Sequence, residues 1–297
     1  MTGVLLKVVS GFYYVDAGGA VYECKPRGNV KREIKRLLAG DRVEISEING
    51  DKAVLQNVLP RDNSLVRPPI ANLKTLVIVS SQNTPAPNAL LIDRLCAIAN
   101  KCKAEPVVVF NKSDCGDLSV WEGIYKKAGI KCFVVSALQP ESLSELKNLL
   151  IRSGGISVFT GNSGVGKSSI LNAMFGELSL ETGEVSEKLG RGRHTTRVSQ
   201  LFKLEGGGYV ADTPGFSSLD IQRYEPVFKD ELPFCFVDFK PYLGKCRFNS
   251  CSHICEKDCA VIEAVKRGEI DKSRYESYKQ IFAEVKDLKE WQLKNKA

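Results

Sequence analysis

Hydrophobic and polar positions divide the chain into three textures. Up to about Val66 the apolar residues come in short runs. Phe12–Val15 and Ala20–Cys24 flank the turn sequence Asp16-Ala17-Gly18-Gly19, Leu38-Ala39-Gly40-Asp41 leads into a strand through Ile45, and Lys52–Val58 follows Asn49-Gly50. Turn residues between runs of that length predict hairpins. From Arg67-Pro68-Pro69 onward, continuous apolar runs (Thr75–Ser80, Pro106–Phe110, Lys131–Val135, Ile156–Thr160) alternate with helical stretches such as Asn88–Lys101 and Leu143–Arg152. Apolar strands spaced by helices predict a parallel sheet with helices on its faces. After about Ile221 the strand patterns stop, and a cysteine cluster leads into a charged, mostly helical tail from Ala260 onward.

Several short strands in the first 66 residues predict a small β-barrel. The OB-fold is the commonest such barrel that binds oligonucleotides, and an SH3-like barrel would show nearly the same pattern. A length of 297 residues suits two or three domains. Hydrophobic content of 43% with 26% charged residues excludes collagen, wholesale disorder and a coiled-coil rod. The longest apolar tracts, of the Leu76–Val79 kind, fall far short of the roughly 18–20 residues of a membrane span. Lys7 interrupts Val4–Val9, unlike the apolar stretch of a signal peptide. A cytoplasmic monomer without membrane contact is the expectation.

Forty-two Lys and Arg against 35 Asp and Glu leave a formal charge of +7. Clustering matters more than the total. Lys25, Arg27, Lys31, Arg32, Lys35 and Arg36 fall within twelve residues that hold one acid, Glu33, while Arg191, Arg193 and Arg197 crowd a glycine-rich stretch. Basic clusters favour phosphate backbones through counterion release, which makes the first six RNA-binding candidates. The basic residues of the tail, Lys266, Arg267, Lys272, Arg274 and Lys279, lie among acids and read as a solvated helical surface.

Gly161-Asn162-Ser163-Gly164-Val165-Gly166-Lys167-Ser168 fits G-x-x-x-x-G-K-[ST], between the buried strand Ile156–Thr160 and a helix over Ser168–Phe175 that includes Ser169. Glycines let the backbone curl so that its N–H groups point at phosphate oxygens, helped by the helix N-terminus. Lys167 then reaches the β- and γ-phosphates and the Ser168 hydroxyl ligates Mg²⁺. Further on, Asp212-Thr213-Pro214-Gly215 follows the strand-like Tyr209–Ala211. Asp212 can hold Mg²⁺ and the Gly215 N–H can contact a γ-phosphate, forming a switch.

Asn111-Lys112-Ser113-Asp114 follows the strand Pro106–Phe110. A carboxylate in the base plane accepts from guanine N1–H and the exocyclic amine, a pair adenine does not offer. Asn111 suits the base's other edge and the Lys112 stem its face. Ser136-Ala137, at the end of the strand Lys131–Val135, adds backbone contacts. An acid left unpaired in such a pocket is costly, so the pattern selects GTP and GDP over adenine nucleotides.

These segments, with the Thr195-Thr196 pair, are the five GTPase motifs, but the base-recognising pair comes first, where ordinary GTPases have it last. The rotated order, the N-terminal barrel, Gly190-Arg191-Gly192-Arg193-His194-Thr195-Thr196 and the cysteine cluster resemble the RsgA family of circularly permuted GTPases over essentially the full length. The fold this implies is multidomain α/β. An OB-fold RNA-binding barrel (1–66) precedes a circularly permuted P-loop GTPase domain (67–223) and a zinc-binding, mostly helical C-terminal domain (224–297). The resemblance also implies ribosome-stimulated GTP hydrolysis coupled to small-subunit maturation, with rRNA as partner. A GTP-gated RNA-binding scaffold in which hydrolysis is incidental is the alternative.

Water-orienting glutamines follow the D-x-x-G motif, and that position is Phe216 here, so slow intrinsic turnover is expected. The resemblance makes His194 the residue that orients water once the ribosome orders its loop. A solvated loop histidine is the plainer alternative. One of Thr195 and Thr196 reaches Mg²⁺, with Thr196 as the nominal ligand.

Ten cysteines in a chain without an export signal do not suggest a disulfide framework. Cys24, Cys96, Cys102, Cys115, Cys132 and Cys235 are scattered and read mostly as small buried hydrophobes. Cys246, Cys251, His253 and Cys259 offer three thiolates and one imidazole, a closed tetrahedral set suited to one structural Zn²⁺, with a disulfide pair as alternative. The same spacing occurs in the RsgA family. Cys255 is a spare thiol that can exchange roles with Cys259. On this reading chelation unfolds residues 224–297 and spares GTP binding.

Overall fold

A computed structural model describes residues 1–27, 37–66, 68–83, 85–176, 200–212 and 227–288. Strands β1 (Thr2–Val9), β2 (Phe12–Ala17), β3 (Ala20–Pro26), β4 (Arg42–Asn49) and β5 (Lys52–Val58) close into a barrel in the order β1-β2-β3-β5-β4. The β2–β3 turn forms because Gly18 and Gly19 both take positive φ, 60° and 89°, matching the twist of the strands they join. β3 runs parallel to β5, while the other pairs, including the closing β1–β4 pair, are antiparallel. This Greek-key crossover makes the barrel OB-like. Its interior is filled by Leu5, Val15, Cys24, Val43, Ile45 and Leu55.

A two-stranded ribbon, β6 (Ser64–Leu65) with β7 (Ile70–Ala71), precedes the sheet. The sheet consists of β8 (Leu73–Ser81), β9 (Glu105–Asn111), β10 (Lys131–Val134), β11 (Ile156–Thr160), β12 (Gln200–Lys203) and β13 (Tyr209–Asp212), in the order β10-β9-β8-β11-β13-β12. All pairs are parallel except β12–β13. Both faces are buried, as the apolar runs require. Leu76, Ile78, Val108 and Phe110 pack with α1 (Ala89–Lys101) and α2 (Ser119–Lys127). Val77, Val79, Val107 and Val109 face α3 (Ser144–Ser153) and α4 (Lys167–Met174). The chain runs outward from β8 through β9 to β10, then returns to the other side of β8 as β11. Ligands of open α/β sheets lie at such a reversal, beyond the carboxyl ends of the strands.

The C-terminal segment carries α5 (Leu232–Cys235), a 3₁₀ stretch (Val237–Tyr242), α6 (Ala260–Lys266) and α7 (Lys272–Val285). Leu232, Phe236, Phe239, Val261, Tyr278 and Ile281 belong to the same continuous core as Leu95, Val108 and Phe110. Arg274 does not lie on a solvated surface as its sequence neighbourhood suggests. It is 1% exposed, donates from Nη1 to Asp93 of α1 at 2.6 Å and forks onto Asp238 at 2.7 and 2.8 Å. Burying a guanidinium is tolerable only with partners on each side, and both partners are distant in sequence. The other basic residues named from the tail are exposed or half-buried, in keeping with the solvated reading. Cys24, Cys96, Cys132 and Cys235 are buried, Cys102 is half-buried and Cys115 exposed.

Candidate nucleotide pocket and metal cluster

The loop 161–166 joins β11 to α4 at the carboxyl end of the sheet. Gly161, Gly164 and Gly166 take φ of 144°, 79° and 91°, a region that disfavours side chains. Two of them are also sterically required: a Cβ on Gly161 would strike the Val79 carbonyl, and one on Gly166 the Asn111 amide. Lys167 folds over the loop and donates to the Gly161 and Asn162 carbonyls, both at 2.8 Å. Burial pushes its ammonium down to about 8. Ser168 and Ser169 occupy the first turn of α4, Asn162 is half-buried in the loop, and Ser163 and Gly164 form its exposed part.

Asn111 ends β9, buried, and joins three segments. Its Nδ2 donates to the Val165 carbonyl at 2.9 Å, and its Oδ1 accepts from the Ala137 N–H at 3.1 Å. Lys112 takes a left-handed φ of 62°, which turns the chain back so that its Nζ donates to the Gly164 carbonyl at 2.9 Å. A 3₁₀ turn, Ser113–Cys115, follows, anchored by the Ser113 N–H on the Val135 carbonyl. Asp114 accepts from the Ser136 hydroxyl at 2.5 Å and from the Cys115 thiol at 3.3 Å. Those two bonds, the hydroxyl first, hold its carboxyl below the usual range and keep it an acceptor. Cys115 carried no signal beyond its position next to Asp114.

Residues 111–114, 136–137 and 161–168 therefore meet in one place although they are scattered along the chain. Asp212 closes β13, which pairs with β11 in parallel, so its backbone ends beside the strand that feeds the loop. Gly215, Phe216, His194, Thr195 and Thr196 lie outside the described residues, as do Arg191, Arg193 and Arg197.

In the C-terminal segment, the ligand atoms of Cys246, Cys251, His253 and Cys259 all lie within 4.8 Å of one another, an arrangement that can hold a metal ion. His253 Nδ1 sits 3.6 Å from the Cys246 sulfur and 3.4 Å from that of Cys259, and the two sulfurs are 3.9 Å apart. None of these cysteines is in a disulfide, and Cys255 points outward as an exposed free thiol. Burial pushes the Cys251 and Cys259 thiols up and the His253 imidazole down. An ion among them would release thiol protons and find the imidazole already neutral.

Of the basic candidates on the barrel, Lys25 lies with its Nζ 5.2 Å from the Phe12 ring centroid, and exposed Arg27 donates to Gln56 at 3.0 Å. Lys31, Arg32, Lys35 and Arg36 lie outside the described residues. Among the described residues no helix is long and apolar enough to cross a membrane.

Family models for the RsgA N-terminal domain and the RsgA GTPase match residues 2–55 and 58–222. The chain belongs to the RsgA GTPase family. It is 42% identical to the small ribosomal subunit biogenesis GTPase RsgA of Caldanaerobacter subterraneus subsp. tengcongensis, covering 99% of this chain and 98% of the relative. The RsgA of Moorella thermoacetica is also 42% identical, over 96% and 97% of the two chains. The crystal structure of YjeQ from Thermotoga maritima superposes with a TM-score of 0.81 at 34% identity, over 97% of this chain and 99% of that one. YloQ, described as a circularly permuted GTPase, gives 0.81 at 31% identity over 97% and 96%. As an RsgA-family GTPase the chain hydrolyses GTP, and the OB-like barrel and permuted motif order accord with these relatives.

Proposed function

We propose that the chain binds the small ribosomal subunit through its rRNA and couples GTP hydrolysis to late subunit maturation or release of assembly factors. The observation carrying the nucleotide half is Asn111, which hydrogen-bonds the phosphate loop on one side and the Ala137 backbone on the other. The partner half rests on the relatives, which are named for small-subunit biogenesis.

In this reading Asp114 accepts from the guanine edge and Lys112 covers the base, with Ser113, Ser136 and Ala137 framing it. Residues 161–166, with Ser168 and Ser169, donate to the phosphates. Lys167 leaves the loop carbonyls for the β- and γ-phosphates, and this exchange restores full charge to its partly desolvated ammonium. Mg²⁺ would sit against Ser168, Asp212 and Thr195 or Thr196, where it neutralises phosphate charge. Support is the placement of Ser168 at the start of α4 and of Asp212 at the end of the adjoining strand. Gly215 would sense the γ-phosphate and His194 would orient the attacking water.

Zinc is the metal we assign to Cys246, Cys251, His253 and Cys259. A tetrahedron with metal–sulfur bonds of about 2.3 Å and metal–nitrogen bonds of about 2.0 Å has sulfur–sulfur edges of about 3.8 Å and sulfur–nitrogen edges of about 3.5 Å. The 3.9, 3.6 and 3.4 Å separations fit those edges, and the outward position of Cys255 favours Cys259 as the fourth ligand. RNA contact is assigned to the barrel through Lys25, Arg27, Lys31, Arg32, Lys35 and Arg36. The three units are taken as 1–66, 67–223 and 224–297.

Calorimetry should show GDP bound far more tightly than ADP, and turnover of GTP should rise when purified small subunits are added. His194→Ala should bind GTP as before yet lose the stimulated turnover. Equal GDP and ADP affinity would reject the pocket, and stimulation unchanged in His194→Ala would reject that residue. If His194→Ala completes subunit assembly at the normal rate, the scaffold reading replaces the hydrolytic one.

A further inference from the structure

The underside of the base-reading motif is held by a residue of the last described helix. Asn111 is preceded by Phe110, fully buried in the sheet, whose ring lies 5.9 Å from that of Tyr125 on α2 and 6.0 Å from Trp121. Tyr125 is likewise fully buried, and the guanidinium of Arg274 sits 5.7 Å from its ring centroid and 5.2 Å from that of Phe236. The same guanidinium is bonded to Asp93 of α1 and forked onto Asp238. Arg274 thus touches both helices that border β9 on this face. α1 starts at Asn88, and Asn88, Pro85, Ala86 and Leu91 line a small crevice with Gly161, Asn162 and Val165 of the phosphate loop. α2 follows the turn that presents Asp114 after the short link 116–118.

From these contacts we infer that Arg274 is a positioning residue for guanine recognition, acting through Tyr125 and Phe110 on Asn111 and Asp114. Close packing makes the route physical. A side chain wedged among filled neighbours cannot change shape without moving them, and a shift of about 1 Å spoils a two-bond contact to a base edge. Arg274 suits this task because its planar fork satisfies two carboxylates while its face lies against two rings. A lysine keeps the charge but offers neither the fork nor the flat face. The inference rests on the guanine pocket described above. It makes the affinity of that pocket depend on how the C-terminal unit is seated.

The test compares GDP with inosine diphosphate, which lacks the exocyclic amine that Asp114 is assigned to read. The full-length wild type should prefer GDP, and calorimetry well below the melting transition measures both affinities. Arg274→Lys should lower GDP affinity about tenfold and narrow the GDP preference, and Tyr125→Leu should do the same. In the double variant the losses should not add, because both residues lie on one route. Tyr125→Phe, which keeps the ring, should recover most of the affinity lost in Tyr125→Leu. A lowered melting temperature with wild-type GDP affinity and preference in Arg274→Lys, or in Tyr125→Leu should the first variant not fold, overturns the inference and leaves Arg274 purely structural. Additive losses overturn the route. Absence of any GDP preference in the wild type itself strikes the pocket reading instead.

Discussion

The barrel and the C-terminal unit are attached to the same sheet by different means. The barrel keeps a core of its own and is held by a polar clip and by the turn 38–41. There Ala39 lies in the core beneath the sheet and accepts from the Ala71 N–H, while Gly40 packs on Ala71 and Ile156. Asp16 at the end of β2 accepts from Lys203 of β12 and from the Tyr209 hydroxyl of β13, each at 2.8 Å to its Oδ2, with Val4 and Leu6 packed nearby. Lys203 remains half-exposed at that rim. The C-terminal unit has no separate core, since its aromatic residues continue the one beneath β8 and β9, and its ion triad is sealed from water. Water reaches Lys203 at this rim and can replace that half of the clip at low cost, although Asp16 itself is buried. Water cannot replace a shared apolar interior without exposing that interior. The barrel therefore joins the sheet through a limited set of contacts beside its own core, and the C-terminal unit through a continuous interior.

Removing the metal should separate the two joints most widely. A structural zinc site contributes on the order of 10 kcal/mol. Because the core is shared, chelation should melt the C-terminal unit and weaken GDP binding together, which revises the sequence-based expectation that the pocket would be spared. Circular dichroism and GDP titration in the presence of a chelator check this. Full GDP affinity beside an unfolded C-terminal segment would break the comparison.

A smaller effect touches neither joint and serves as a reference. Burial lowers Lys167 to about 8, and bound phosphates should raise it again. Binding then takes up a proton above that pH, so affinity is flat below about 8 and falls above it. GDP should bind about tenfold more weakly at pH 9 than at pH 7. A flat profile, read by calorimetry in buffers of differing ionisation enthalpy, would refute the exchange of partners assigned to Lys167. The smallest change is expected at the rim. Asp16→Ala should cost about 1–2 kcal/mol in denaturant unfolding and leave GDP affinity intact. A loss as large as that from chelation would mean the barrel, too, is built into the body.

The segments that meet around Asn111 were legible because each has a distinctive run of residues just past a buried strand. Gly161 and Gly166 stand out because the loop brings them against Val79 and Asn111 with positive φ, and Asp114 stands out as an acid just past a strand end, whichever comes first along the chain. The meeting of Cys246, Cys251, His253 and Cys259 was legible from their crowding within fourteen residues. Other elements left fainter traces. β1 is broken by a bulge between Leu5 and Lys7 that upsets its alternation. α2 is only nine residues long and buries Tyr125 alone, so it offers little more than two turns of pattern. β12 is a four-residue edge strand. Arg274 was hidden most completely, because a charge among charges looks solvated until Asp93, 181 positions away, is seen to meet it.

The bond from Asn111 to Val165 also has a temporal side. Translation delivers the base-reading strand first, and the carbonyl that its amide needs comes 54 residues later. At about 5–20 residues per second, that leaves the amide without its native acceptor for roughly 3–11 s. A newborn chain thus passes through an interval in which half of the nucleotide cradle exists and nothing can yet be held in it.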